Sequence, residues 1–306
     1  MSLVLINSQM FRPSLWIVQE LLKKRAVTHI RDPLRLISNL LLVAKKGSQP
    51  LNRFIPDNKF EMEGWMEIRE AVFTGCYSAR IDLQDAFLSI PIHEDSRPFL
   101  VFQWQQQTFC WSRLSFGLKT SPRVFTKLLK PVVANLRQEE ITLIVYLDDF
   151  LLIADNPSRL SAHASRATTL LQSSGYTIFG SCALLPVLQV TYLGYVIDST
   201  SMRLSVALDK RIQIKRDIHN ILAATQVTLR DLYCILGKLN ALTTIVRSVR
   251  YYCSSRARLV STAIRGARGL DRRIQSVDDT RQDLLWWTED LDLVASGPVR
   301  PPLRSL

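Results

Sequence analysis

Apolar positions recur along this chain with two different periods, and the change of period divides it. From Ser14 to Ala26, "SLWIVQELLKKRA" spaces its apolar residues as one face of a helix does and closes on basic side chains, the charge a helix C-terminus favours. From "SNLLLVAKKGSQPLNRF" to "TYLGYVID", strand-length apolar runs alternate with helical stretches such as "SPRVFTKLLKPVVANLRQE" and "SRLSAHASRATTLLQSSG". That alternation predicts an α+β or α/β fold. Beyond Ser199 the helical period takes over in "ALDKRIQIKRDIHNILAAT", "TLRDLYCILGKLNALTTIV" and "DTRQDLLWWTEDLDL", the last two opened by Thr or Asp as caps. A boundary is therefore expected near residue 200, after a short lead-in over residues 1–21 and a mixed region over 22–200, leaving 201–306 helical.

One stretch breaks the pattern. "ITLIVYLDDFLLIA", residues 141–154, sets Asp148 and Asp149 between two apolar runs of strand length, which predicts a hairpin with the aspartates near its turn. A tight hairpin turn needs positive φ, which Asn-Gly or Asp-Gly supplies better than two aspartates do. The pair also repels itself, and ionised carboxylates beside a core are costly unless a cation or hydrogen bonds compensate. Upstream, "SARIDLQDAFLSIPI" ends a strand-like segment at Asp82 and follows it with Asp85. Carboxylates from separate strands clamping two metal ions about 3.5–4 Å apart are a recurring device for phosphoryl transfer. Mg²⁺ suits such a site, with Asp82 and Asp148 as bridging ligands and Asp149 as a weaker one. Taken alone, each of these aspartates reads far more readily as a solvated turn or strand end, and only the joint order of the motifs favours a site.

Composition then narrows the partner. Thirty-nine Lys and Arg against 27 Asp and Glu leave a net charge of +12, which favours an anionic partner, a nucleic acid or an acidic membrane surface. The basic residues concentrate in the helical region, from Lys210 and Arg211 through Arg272 and Arg273. No apolar run reaches the ~20 residues that span a bilayer, and the N-terminus lacks the parts of a secretory signal. Five cysteines without CxxC spacing and four scattered histidines point to a reducing compartment and no zinc. The expected location is inside the cell, in cytoplasm or nucleus.

Taken together, the motifs resemble a reverse transcriptase. "YLDD" at Tyr146–Asp149 matches the family's Y-x-D-D hairpin, "RIDLQDAF" the strand with the first metal-binding Asp, "LSFGLKTSPRVFTKLL" the segment under the nascent base pair, and "YLGYVID" the primer-grip hairpin. Within the family, "FGL", "YLDDFLLIA", "TLRDLYCILGKLNAL" and "LLWWTEDL" most resemble DIRS-type tyrosine-recombinase retrotransposons. The resemblance implies a right-hand polymerase, with fingers and palm to about residue 200 and a helical thumb-like region after it. Carried over singly, Asp82, Asp148 and Asp149 match the catalytic carboxylates and Leu83 a metal-holding backbone carbonyl. Lys46, Asp85, Ala86, Phe116 and Gly117 match nucleotide-lining positions, and Phe87 matches the bulky gate that excludes a ribose 2′-OH. Tyr192, Leu193 and Gly194 match the primer grip. Implied partners are two Mg²⁺ ions (Mn²⁺ as substitute), dNTPs and an RNA or DNA template with its primer, with no membrane.

Departures from the family pattern favour a second reading. "KKGSQPLNRF" runs across where a longer fingers hairpin carries a triphosphate-gripping Arg, and "YTIFGSCALLP" places Gly180 or Ser181 where the family often has a Lys acting as general acid. A silent, truncated remnant that binds nucleic acid without polymerising accommodates both losses. An RNA-dependent RNA polymerase is disfavoured by Phe87 and by the absence of G-D-D. The end at "PVRPPLRSL", where an RNase H domain begins in the resembling elements, predicts neither RNase H nor recombinase activity in this chain. Phe87 and Phe116 also read as core aromatics, and Lys46 as a solvated loop charge.

Overall fold

The structure is a computed structural model that describes residues 12–30, 52, 54–180, 182–242, 273–275, 284–289, 291–292 and 295–299. In chain order these form α1 (Arg12–Lys23), β1 (Val27–Ile30), α2 (Trp65–Ala71), β2 (Tyr77–Gln84), β3 (Val101–Trp104) and β4 (Gln107–Trp111). There follow α3 (Ser121–Gln138), β5 (Thr142–Tyr146), β6 (Asp149–Ala154), α4 (Pro157–Ser173) and β7 (Thr177–Ile178). The remainder is β8 (Gln189–Tyr192), β9 (Tyr195–Asp198), β10 (Arg203–Val206), α5 (Leu208–Ala223), β11 (Gln226–Thr228), α6 (Leu229–Ala241), β12 (Arg273–Gln275) and β13 (Ser296–Pro298). No helix among the described residues is long and apolar enough to cross a membrane.

Two compact units interleave along the chain: residues 1–64, 81–152 and 162–184 make the first, and 65–80, 153–161 and 185–306 the second. A single cut near residue 200 is therefore not how the chain divides. The second unit gathers β8 to β10 with the distant segment 65–80 through specific bonds. Ser78 bridges to Val187, Gly75 donates its N–H to the Ser199 carbonyl, and the buried Ser199 hydroxyl donates to the Cys76 carbonyl at 2.7 Å.

In the first unit, β1, β4 and β3 form an antiparallel sheet in that order, with Val27 opposite Trp111 and Phe102 opposite Phe109. Its apolar face packs Phe102, Phe109 and Trp111 with Val18 and Leu21 of α1 and with Leu88 and Ile92. A second sheet runs β5-β6-β2-β7. Residues 150–154 of β6 are all buried, which is why this strand reads as an unbroken apolar run rather than an alternation. Helix α3 buries Ser121, Phe125, Leu129, Val133 and Leu136, a stripe at helical spacing, and carries Pro122 in its first turn, where the missing N–H costs nothing.

The second unit holds the antiparallel sheet β13-β10-β9-β8 and the helices α5 and α6. Thr228 caps α6 as its sequence suggests: its hydroxyl accepts from the Asp231 N–H while the Asp231 carboxylate accepts from Thr228, a complete capping box. Isoleucines 214, 218 and 221 of α5 and Leu232, Ile235 and Leu239 of α6 are buried, and the Lys238–Asp217 ion pair ties the two helices. Arg211 and Lys215 both pair with Asp292, at 2.9 and 2.7 Å.

Candidate active site

The two apolar runs around Asp148 and Asp149 do form a hairpin, β5 and β6, and both aspartates are half-buried in it. The positive φ that a tight turn demands falls on Leu147, at 55°, and on neither aspartate. A leucine in this region is strained by roughly 1–2 kcal/mol, and it spares the carboxylates that conformation. Asp149 is then the first residue of β6. On the other side of the hairpin, Glu63 holds β5, the edge strand of its sheet. Its carboxylate accepts the Val145 N–H at 2.8 Å and pairs with Arg137, whose guanidinium also donates to the Leu143 carbonyl. Side chains that take up an edge N–H and an edge carbonyl leave β5 fewer free groups with which to pair another strand.

Asp82 does not end its strand. β2 continues through Leu83 to Gln84 because β7 pairs with both, Leu83 opposite Ile178 and Gln84 opposite Thr177. Asp82 is half-buried between the core residues Ile81 and Leu83. On the β6 side, the Leu83 N–H donates to the Asp148 carbonyl at 3.0 Å, so the strand of one aspartate is hydrogen-bonded to the residue that carries the next. On the β7 side, the Asp82 carbonyl accepts the Phe179 N–H at 2.8 Å and the Asp82 N–H donates to Cys182 Sγ at 3.1 Å.

The chain turns sharply after β2. Asp85 adopts the left-handed conformation at φ 51°, opening a single 3₁₀ turn over Ala86–Ser89, and Lys24 of α1 pairs with its carboxylate at 2.7 Å. Ala86, the first residue of this turn, is buried, and Phe87 is half-buried. The Phe87 ring lies 5.4 Å from that of the core residue Phe125 and 5.6 Å from that of Phe116, which is 50% exposed. Phe116 is thus a surface ring and not a core aromatic. Gly117 follows it at φ 80°, and Asn52 clamps this loop: its amide donates to the Gly117 carbonyl and accepts the Lys119 N–H, both at 2.8 Å. Beside α3 an open groove of about 920 Å³ is lined by Lys59, Arg123, Lys127 and Lys130, with Asp57 and Glu61.

Asp82, Leu83, Asp148, Asp149, Asp85, Ala86, Phe87, Phe116 and Gly117 therefore all belong to the first unit. Tyr192, Leu193 and Gly194 belong to the second, where they form the β8–β9 turn with φ of 50° at Leu193 and 77° at Gly194, the sign that a two-residue hairpin prefers. Tyr192 is fully buried, and Tyr195 is packed edge-on against Trp65 beneath the ammonium of Lys210. Lys46 and Ser181 lie outside the described residues, and Gly180 is exposed beyond β7.

Asp82, Asp148, Asp149 and the Leu83 carbonyl offer hard oxygen donors on adjoining strands. Among the described residues no three His, Cys, Asp or Glu side chains already form a cation cage. Mg²⁺ takes one or two protein carboxylates and completes its shell with water and phosphate oxygens, so this donor set fits an ion that shares its coordination with a nucleotide. Sequence reasoning missed Glu63, Asn52 and Cys182, whose side chains hydrogen-bond Val145, Gly117 and Asp82 from 65 to 100 residues away. Asn52 and Cys182 lie in the stretches where the chain departs from the family pattern, and nothing in the type or spacing of the three residues names their distant partners.

The arrangement is that of a right-hand polymerase palm with its adjoining fingers. Solved structures share it: the foamy viral protease-reverse transcriptase in complex with RNA/DNA hybrid superimposes with a TM-score of 0.73 at 20% identity, over 96% of this chain and 38% of that one. The same protein in complex with dsDNA gives 0.71 at 21% identity, over 100% and 61%. The family described as "Reverse transcriptase (RNA-dependent DNA polymerase)" matches residues 21–197, and the chain belongs to it. Among curated relatives, the Gag-Pol polyprotein of avian reticuloendotheliosis virus is 32% identical over 133 residues, 41% of this chain. The Pro-Pol polyprotein of simian foamy virus type 3 is 27% identical over 190 residues, 62% of this chain. The matched segments span only 12% and 16% of those two relatives.

Proposed function

We propose that the chain is an RNA-directed DNA polymerase of a retroelement, adding deoxynucleotides to a primer 3′-OH on an RNA or DNA template inside the cell. The observation that carries this reading is the hydrogen bond from Leu83 to Asp148, which sets the strands of Asp82 and Asp148 side by side, with Asp85–Phe87 following directly on β2. Two Mg²⁺ ions, or Mn²⁺ in their place, supply activation of the primer hydroxyl and neutralisation of the leaving pyrophosphate when bound. Asp82, Asp148 and Asp149 hold them. Ala86 and Gly117 leave room for the nucleotide, Phe116 offers an exposed ring to the base, and Phe87 blocks a 2′-OH. Arg123, Lys127 and Lys130 give the groove beside α3 a positive field suited to a phosphate backbone. The "FGL", "YLDDFLLIA" and "LLWWTEDL" wording supports a DIRS-type source.

A silent nucleic-acid-binding scaffold is the competing reading, favoured by an exposed Gly180 where the family often carries a lysine. Primer extension on poly(rA) with oligo(dT), dTTP and Mg²⁺, comparing the wild type with Asp148→Ala, separates the two. Incorporation by the wild type that vanishes in the variant, at unchanged duplex affinity, is the expected result. Binding without incorporation by either protein overturns it in favour of the scaffold.

A further inference from the structure

Both main-chain groups of Asp82 face the β7 edge, where β7 itself has already ended at Ile178. The Phe179 N–H reaches the Asp82 carbonyl, but the partner of the Asp82 N–H is a side chain, Cys182 Sγ at 3.1 Å. The same thiol donates back to the Asp82 carbonyl at 3.5 Å, and Cys182 is itself held by donating its N–H to the Phe179 carbonyl at 3.2 Å. Leu83 and Gln84 are fixed by ordinary strand pairing, and Leu83 is fixed again by Asp148 on the opposite edge. At Asp82 the ladder is continued by one thiol contributed from 100 residues further along the chain.

We propose that Cys182 is a positioning residue for Asp82, continuing the β2–β7 ladder past the end of β7 and fixing the height at which the Asp82 carboxylate meets a divalent cation. The proposal rests on the polymerase reading of the site. A catalytic group must be held within about 0.5 Å of its productive position, and a main-chain donor that loses its acceptor seeks another by moving. The thiol forms no bond to substrate and transfers no proton. It acts through the backbone of its neighbour.

Cys182→Ala removes the acceptor, and Cys182→Ser keeps an atom that both accepts and donates, so the pair separates positioning from mere packing. Three readouts are taken on the full chain: hydrogen exchange of the peptide carrying Asp82, Mn²⁺ affinity by paramagnetic resonance, and steady-state primer extension. The alanine variant, checked as folded by circular dichroism, is expected to exchange faster at Asp82, to bind Mn²⁺ more weakly and to lose about tenfold in kcat at unchanged duplex affinity. The serine variant is expected to recover all three. Unchanged exchange and Mn²⁺ affinity in a folded alanine variant overturn the proposal whatever the turnover does, as does a serine variant no better than alanine. A wild type that binds Mn²⁺ in a Cys182-dependent way but does not polymerise sinks the polymerase reading and leaves the positioning claim standing. A wild type that does neither overturns both.

Discussion

The N–H of Leu83 donates to the carbonyl of Asp148 at 3.0 Å, so the position following one acidic residue is hydrogen-bonded to another acidic residue 65 positions later. Pairing at this point removes the freedom of β2 and the β5–β6 turn to slide past each other, and carboxylates on the two strands keep a fixed separation. A single methylene then matters. Asp82→Glu retains charge and donor type but moves the carboxylate by more than 1 Å, a displacement that costs about 100-fold in catalysis. Primer-extension kcat is expected to fall by about that factor while circular dichroism and duplex affinity stay as in the wild type. Retained turnover in Asp82→Glu would mean that the spacing between the strands is irrelevant to the chemistry.

Phe87 bridges from the core to the surface, resting on the buried Phe125 and touching the exposed Phe116. On the proposed gating role of this ring, truncation to Ala opens the space a 2′-OH would occupy. The preference for dNTP over NTP is expected to drop by at least about tenfold, the scale on which a pocket senses one small group. Half-burial of the ring sets the accompanying loss of stability at about 2 kcal/mol by urea unfolding. A folded Phe87→Ala with its nucleotide preference intact would remove the ring from any gating role.

Gly194 sits at φ 77°, and a Cβ there would come within 3.2 Å of the Lys210 side chain. The lysine can give way, being flexible at that point, but the backbone cannot change sign without undoing the β8–β9 turn. Gly194→Ala is therefore expected to cost about 1–2 kcal/mol in urea unfolding, nearly all of it conformational. Adding Lys210→Ala to make room should recover little. Full recovery in the double variant would locate the cost in the collision instead.

Local order was legible in the sequence, and long-range order was not. Helices α3 to α6 follow from apolar spacing, Thr228 announces itself as a cap by type, and the apolar runs flanking Asp148 and Asp149 form the expected hairpin. Each signal is contained in fewer than twenty consecutive residues. By contrast nothing about a leucine predicts φ 55° at Leu147, because the turn imposes it against the residue's own preference. Glu63, 82 positions from Val145, and Cys182, 100 from Asp82, are brought to the site only by the completed sheet. The interleaving of the two units was hidden for the same reason: Ser199 reads as a loop residue until its hydroxyl is seen on the Cys76 carbonyl.

Tyr195 gives the second unit a pH signature. Its hydroxyl donates to the Ala241 carbonyl at 2.6 Å, and burial pushes its pKa up to about 12, against about 10 in an unfolded chain. Between those values the unfolded phenol has lost its proton and the folded one has kept it. Stability from this group is therefore complete below pH 10 and is lost as pH rises towards 12, at up to about 1.4 kcal/mol per pH unit. Lys210, seated over the ring at 4.0 Å, is pushed in the opposite direction by its own burial, so its pKa is lowered and its contribution rises with pH. Tyr195→Phe separates the two, since it keeps the ring under the ammonium and removes the titrating hydroxyl. The variant is expected to be less stable by about 1 kcal/mol at neutral pH, through the lost hydrogen bond, and to fall less steeply than the wild type above pH 10. Parallel stability curves over that range would show that the phenol keeps an ordinary pKa and that Tyr195 is not sealed from water.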